Sequence, residues 1–185
     1  MRYFHKFCQG IETMYLMQQI MRQPELWDQQ RLRTTHPGTP HSEVSDIWLR
    51  FNRLPEVGNE ALVLDEHESI NWPAFDALPA ARAIVFDLMR AVEGERLGRV
   101  LITRLAPGKR IAPHVDGGSH AVYYDRYHVG LQIRPGALFR AGNETVQMAT
   151  GDCWWFDNSQ EHEVINNSDD DRITLIVDIR TRRAP

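Results

Sequence analysis

His114-Val115-Asp116 sets two metal-binding side chains on alternate positions of an extended segment, so both point to one side of it. A third candidate ligand, His162, lies far downstream at the mouth of another predicted strand. Two imidazoles and a carboxylate on one face of an octahedron leave three positions open, the arrangement that suits ferrous iron in oxygenases. The open positions have a chemical use, because a chelating cosubstrate needs two and dioxygen needs one. Alone, the His-x-Asp pair is a weak signal: eight histidines and thirteen aspartates give roughly half an occurrence by chance in a chain this long. Arg172 strengthens it. It stands ten residues after His162 inside the next predicted strand, with Thr174 two further on. A guanidinium fork there can grip a carboxylate with two parallel hydrogen bonds.

These residues need a scaffold that gathers separated segments around one cavity. Short β-rich runs recur at 99–105, 110–113, 127–133, 137–141, 145–148, 153–157, 162–165 and 172–179. Pro107-Gly108, Pro135-Gly136, Gly142-Asn143 and Gly151-Asp152 mark turns between them. Strands at that spacing predict a barrel or sandwich. Within 172–179 the odd positions Ile173, Leu175, Val177 and Ile179 form an apolar row. Arg172, Thr174 and Asp178 fall on the opposite face, and Arg126 and His128 likewise share a face. In a barrel such a polar face lines a cavity while the apolar face packs on helices. The first half predicts those helices: residues 6–22 come close to helical spacing, Pro24 can open a short second helix, and 77–93 form the clearest candidate, stopped by Gly94. A Thr/Pro-rich loop at 34–40 leads into an alternating strand at 46–51. The expectation is one α+β domain over 1–185, with 1–95 mainly helical and on the substrate side, and 96–180 carrying the strands and the metal site.

Six stretches between Val100 and Asp178 carry a family resemblance. They are Pro113-His114, Arg126-Tyr127-His128-Val129-Gly130-Leu131, Gly142-Asn143-Glu144-Thr145, Phe156-Asp157-Asn158-Ser159, Glu161-His162-Glu163-Val164 and Arg172-Ile173-Thr174-Leu175-Ile176-Val177-Asp178. In that order the chain resembles the aspartyl/asparaginyl β-hydroxylase family of 2-oxoglutarate oxygenases. The resemblance implies a double-stranded β-helix (jelly-roll, cupin-like) core with the helical region packed on its sheet. It implies Fe(II), dioxygen and 2-oxoglutarate as cosubstrate, and hydroxylation of an unactivated C–H of an amino acid or a peptide or protein side chain, with release of succinate and CO2. Carried over by residue, it implies that His114 and His162 bind iron and that Arg172 holds the distal carboxylate of 2-oxoglutarate, with Thr103 assisting and Thr174 on the same face. Arg126 and His128 match residues that contact the carboxylate nearest the metal. One position departs from the pattern: the animal hydroxylases of this family carry glycine where Asp116 stands.

Composition narrows the alternatives. A formal net charge of −4 gives no electrostatic footprint for nucleic acid. No apolar run is long enough for a membrane span, and Met1–Lys6 lacks the apolar stretch of a signal peptide, so a cytoplasmic protein is expected. Cys8 and Cys153 are too few for a disulfide framework and are expected as reduced thiols, Cys153 buried and inert. Residues 24–75, including Trp27, Arg31, Arg33, Thr34 and Arg50, are expected to supply much of the substrate pocket. Asp157 and Asn158 could orient a ligand or simply form a turn. Trp154 and Trp155 are expected in packing, and His36 and His41 on the surface. Arg180, Arg182 and Arg183 suit a solvated tail. A cupin-fold metalloprotein with other chemistry, such as an isomerase or a 2-oxoglutarate-independent oxygenase, and a non-catalytic binding module both remain open at this point.

Overall fold

The computed structural model describes residues 1–54 and 67–182. Its strands in chain order are β1 (Phe4–Cys8), β2 (Val44–Phe51), β3 (Ile70–Asn71), β4 (Gly94–Leu105), β5 (Arg110–His114), β6 (Asp125–Gln132), β7 (Ala137–Ala141), β8 (Glu144–Val146), β9 (Cys153–Phe156), β10 (His162–Asn166) and β11 (Arg172–Thr181). They form a seven-stranded sheet in the order β1-β9-β6-β11-β4-β2-β3 and a four-stranded sheet in the order β5-β10-β7-β8, with every pairing antiparallel. Two facing antiparallel sheets of this kind make the jelly-roll that the family resemblance implies, within the barrel or sandwich that the strand spacing predicts.

The alternation in β11 decides which way the large sheet faces. Ile173, Leu175, Val177 and Ile179 join Val100 and Ile102 of β4 and Ile47 and Leu49 of β2 in a core beneath the helices. The helix Pro79–Ala91 starts with proline at its first turn and buries Ala81, Ile84, Val85 and Leu88, one stripe at helical spacing. Residues of opposite parity therefore turn inward, toward the small sheet. A second core lies between the sheets, where Phe4, Leu105, Trp154 and Phe156 meet Ile111, Phe139 and Val164. Arg172, Thr174, Ile176 and Asp178 share that interior with Arg126 and His128 of β6 and Arg99, Leu101 and Thr103 of β4.

The helical reading of residues 6–22 is corrected. Phe4–Cys8 is an edge strand paired with β9, and the helix begins at Met14. Gly10, at φ 78°, breaks the chain between them, and Ile11 donates its backbone N–H to Gly151. The short second helix is a single 3-10 turn at Pro24–Leu26. Region 1–95 thus gives three strands to the large sheet besides its helices. Three short helices, Leu32–Thr35, Pro73–Ala77 and Gly118–Tyr123, lie outside the expected helical segments. Trp154 packs edge-on to Phe4 and donates its indole N–H to Asp152, while Trp155 packs on the helix side, so both tryptophans serve packing. Arg183 and residues 55–66 of the expected pocket segment lie outside the described residues.

Candidate active site

β5 and β10 are hydrogen-bonded neighbours, and their register sets His162 directly opposite His114 at the same end of the small sheet. The two rings lie 4.2 Å apart, centroid to centroid. Each Nδ1 has a backbone carbonyl as partner, His114 with Ala112 at 2.8 Å and His162 with Gln160 at 2.9 Å. A carbonyl can only accept, so each Nδ1 carries a proton, and Nε2 is the nitrogen left to face a metal. Asp116 follows β5, its backbone N–H donating to the carbonyl of Asn158 at 3.3 Å. Its Oδ1 lies 3.6 Å from the Nε2 of His114 and 3.8 Å from that of His162. The three candidate ligand atoms sit within 4.8 Å of one another, the geometry of a small cation site. Burial holds the His162 imidazole at about 4, so it is neutral and able to ligate at physiological pH.

The second oxygen of Asp116 is held from behind. Oδ2 accepts from Nη1 of Arg126 at 2.6 Å. Arg126 also forks onto Asp178, with Nε to Oδ1 at 2.7 Å and Nη2 to Oδ2 at 2.9 Å, and Nε2 of His120 meets the same Oδ2 at 2.9 Å. Burial opposes ionisation of both carboxyls, but Arg126 outweighs it and holds each well below the usual carboxylate range. Asp116 thus presents one oxygen to the two histidines while the other is fixed. The resemblance implies that Arg126 contacts a cosubstrate carboxylate. In this chain three of its nitrogens are engaged with carboxylates of the protein, one with Asp116 and two with Asp178. Asn158 orients the Asp116 segment rather than His162: its carbonyl takes the Asp116 N–H, and its side-chain amide donates to Ala121 at 3.2 Å. Asp157 closes the turn through Ser159 and Gln160.

Deeper in the interior lies a cation without a counter-charge. Arg172 is 3% exposed, and the polar contact it makes among the described residues is to Sδ of Met148 at 3.8 Å. Burial alone lowers its pKa to about 10. Thr174, on the same face of β11, has a buried hydroxyl without a hydrogen-bond partner, and Thr103 is its register partner on β4. His128 is stacked on Phe139 at 5.1 Å with neither ring nitrogen hydrogen-bonded among the described residues. Burial holds that ring neutral, well below the ordinary histidine value. Buried polar groups normally find partners, and an unpaired buried cation is costlier still. A cluster of a guanidinium, a hydroxyl and an imidazole is therefore shaped for an anionic, oxygen-rich occupant.

A cavity of about 300 Å3 opens outward from the triad, lined by Arg33, His41, Arg99, His114, Asp116 and Arg126, among others. A recess of about 30 Å3 continues it inward past His128 and His162. Of the pocket residues expected from 24–75, Arg33 lines the mouth, held by a bidentate pair with buried Asp46 at 2.8 and 2.6 Å. Trp27 lies under Arg104, the Thr34 hydroxyl is tied to the carbonyl of Arg31, and Arg50 bonds Asn71 and Leu97, so these serve local structure. His41 corrects the surface assignment. Its ring meets His114 edge-on at 4.9 Å, and its Nδ1 is buried without a partner. The loop before it is pinned to β5 by the Ala112 N–H donating to Pro40. His36 is half-buried and reaches the cavity rim. Nothing local in the sequence distinguishes His41; the signal is the contact between its loop and β5.

A jelly-roll with two histidines and a carboxylate gathered at the mouth of its interior has the form of a mononuclear metal oxygenase. Residues 41–182 match the family model described as aspartyl/asparaginyl beta-hydroxylase, and the chain belongs to that family. The human aspartyl/asparaginyl beta-hydroxylase is 33% identical over 87 residues, which cover 46% of this chain and 11% of that protein. The chain thus corresponds to a small part of the curated relative's length. Among solved structures, a Pseudomonas putida prolyl-4-hydroxylase superposes with a TM-score of 0.55 at 13% identity, covering 97% of this chain and 93% of that one. An oxidoreductase of the 2OG-Fe(II) oxygenase family from Burkholderia pseudomallei gives 0.53 at 19% identity, covering 83% and 79%. At these identities the two structures establish the fold. Among the described residues, no helix is long and apolar enough to cross a membrane.

Proposed function

We propose that the chain is an Fe(II)- and 2-oxoglutarate-dependent oxygenase that hydroxylates a small carboxylate-bearing target, an amino acid or a single side chain of a peptide or protein. The observation that carries this reading is Arg172, a buried cation with no anionic partner among the described residues, on the strand that faces the His114, Asp116 and His162 cluster. A metal-binding cupin with other chemistry has no use for it. The donor set fits ferrous iron: two imidazole Nε2 atoms and one carboxylate oxygen, each backed by a hydrogen bond to its other polar atom. Bound iron with 2-oxoglutarate supplies the oxidation of an unactivated C–H, coupled to loss of CO2 and formation of succinate.

The rest is done by the chain. Arg172 binds the far carboxylate of the cosubstrate, with Thr103 and Thr174 offering hydroxyls, and His128 offers a neutral ring nitrogen on the path to the metal. Arg126 keeps Asp116 in its orientation. Phe139, Phe156 and Ile176 wall the recess and exclude water from it. The mouth, at about 300 Å3, has the size of a small ligand site. Arg99 lies on its wall, its pKa lowered by burial to about 10, and supplies the positive charge that suits a substrate carboxylate.

Purified protein with Fe(II) under air is expected to convert 2-oxoglutarate slowly to succinate even without its target, and a target that fits the mouth should accelerate this. Succinate measured by mass spectrometry decides the matter. Protein that holds iron and leaves 2-oxoglutarate unchanged would remove the assignment.

A further inference from the structure

Cys8 closes β1 and Cys153 opens β9, and the two are register partners across the antiparallel edge pair of the large sheet. Both thiols are free. Directly opposed residues on antiparallel strands hold their Cα atoms about 4.5–5.5 Å apart, inside the range of roughly 4.4–6.8 Å that a disulfide spans. The register shifts between Lys6 and Cys8, so the pairing is already irregular at this point and can adjust. The two sulfurs differ in access. Cys153 is fully buried, whereas Cys8 is half-buried on the wall of an apolar cavity of about 390 Å3 between β1 and the helix Pro79–Ala91. One thiol can meet a reagent, and the other waits beside it.

We propose that Cys8 and Cys153 form an oxidisable dithiol that closes to an intrachain disulfide and staples the edge strand β1 to β9, with a low-molecular-weight disulfide as the oxidant. The Cys8 thiolate attacks one sulfur of the reagent: a new S–S bond forms as the reagent's own S–S bond breaks, and one small thiol leaves. Cys153, losing its proton to solvent, then attacks the Cys8 sulfur, and the second small thiol leaves with that proton's equivalent. The protein dithiol is oxidised by two electrons and the reagent is reduced to two thiols. Burial pushes both thiols up, so thiolate is scarce at neutral pH and closure is slow. The pair answers sustained oxidation rather than a brief pulse.

The staple acts on a strand that braces the active site. Phe4 of β1 packs on Phe139 at 5.1 Å and on Phe156 at 6.3 Å, and Phe156 lies 4.9 Å from the His162 ring and 5.1 Å from that of His128. Tying β1 down fixes that wall.

The test is prolonged incubation of the full chain with cystamine, followed by alkylation, intact mass and non-reducing peptide mapping. The expected result is loss of two hydrogens, a linked Cys8–Cys153 peptide, and a melting temperature raised by roughly 5–15 °C that reductant reverses. The variant Cys153→Ser should stop at a stable cysteamine adduct on Cys8, and Cys8→Ser should acquire no adduct on Cys153 while folded. Two thiols still alkylatable after oxidation, or equal adduct formation on both single variants, would overturn the proposal.

Discussion

Replacing Arg172 with Met is expected to abolish measurable 2-oxoglutarate binding while leaving iron binding intact. The ligand's far carboxylate would enter a dry interior without its counter-charge, a loss of about 3–5 kcal/mol, or about two to three and a half decades of affinity. The same substitution should raise the melting temperature of the cosubstrate-free protein. Arg172 is buried with no anionic partner there, so an apolar side chain of similar reach relieves a desolvation cost. Stability and function therefore move in opposite directions at this position, as expected where binding requires an arrangement that the empty protein disfavours. Calorimetry with 2-oxoglutarate and a melting curve with and without it read both effects. A Met variant that binds the cosubstrate like the parent would show that the anion sits elsewhere.

The second large effect is expected in the ligand series. His114→Ala and His162→Ala should abolish turnover at any iron concentration, because each removes an imidazole donor held in place by a backbone carbonyl. Asp116→Gly should lose most turnover at ordinary iron and recover part of it in excess Fe(II). The distinction follows from the network. Without Asp116, Arg126 keeps both bonds to Asp178, so the site stays folded, but its one anionic donor is gone. Circular dichroism of each variant, with activity against iron concentration, separates misfolding from loss of metal. Near-parental turnover by folded Asp116→Gly would make this a two-histidine centre.

The second half of the fold was legible because its strands are half-exposed or face a cavity, and so alternate: β11 sorted its own residues into a helix-facing row and an interior row. The first half was less legible. Phe4–Cys8 takes its partner from β9, some 145 residues away, and no local pattern announces a strand whose pairing is that remote. Local spacing through Phe7, Ile11 and Met14 reads as helix until Gly10 is seen to break it. The candidate site followed the same division. His114, Asp116 and His162, singled out by type and spacing in or beside strands, come together in space, and Arg172 and Thr174 share the interior face of β11. His41 reaches the His114 ring from a loop, and its position depends on a backbone bond from Ala112 to Pro40. The engagement of Arg126 depends on Asp116 and Asp178 arriving together, which strand alternation alone does not specify. The pairing of Cys8 with Cys153 was hidden for the same reason as β1 itself.

The most direct measurement is anaerobic titration of the protein with Fe(II), first alone and then with 2-oxoglutarate, following the weak visible charge-transfer absorption of a chelated complex. The account predicts no such band with iron alone, a saturable band once 2-oxoglutarate is added, and loss of that band in Arg172→Met with iron still bound. Iron binding at the triad with no band at any 2-oxoglutarate concentration would contradict it.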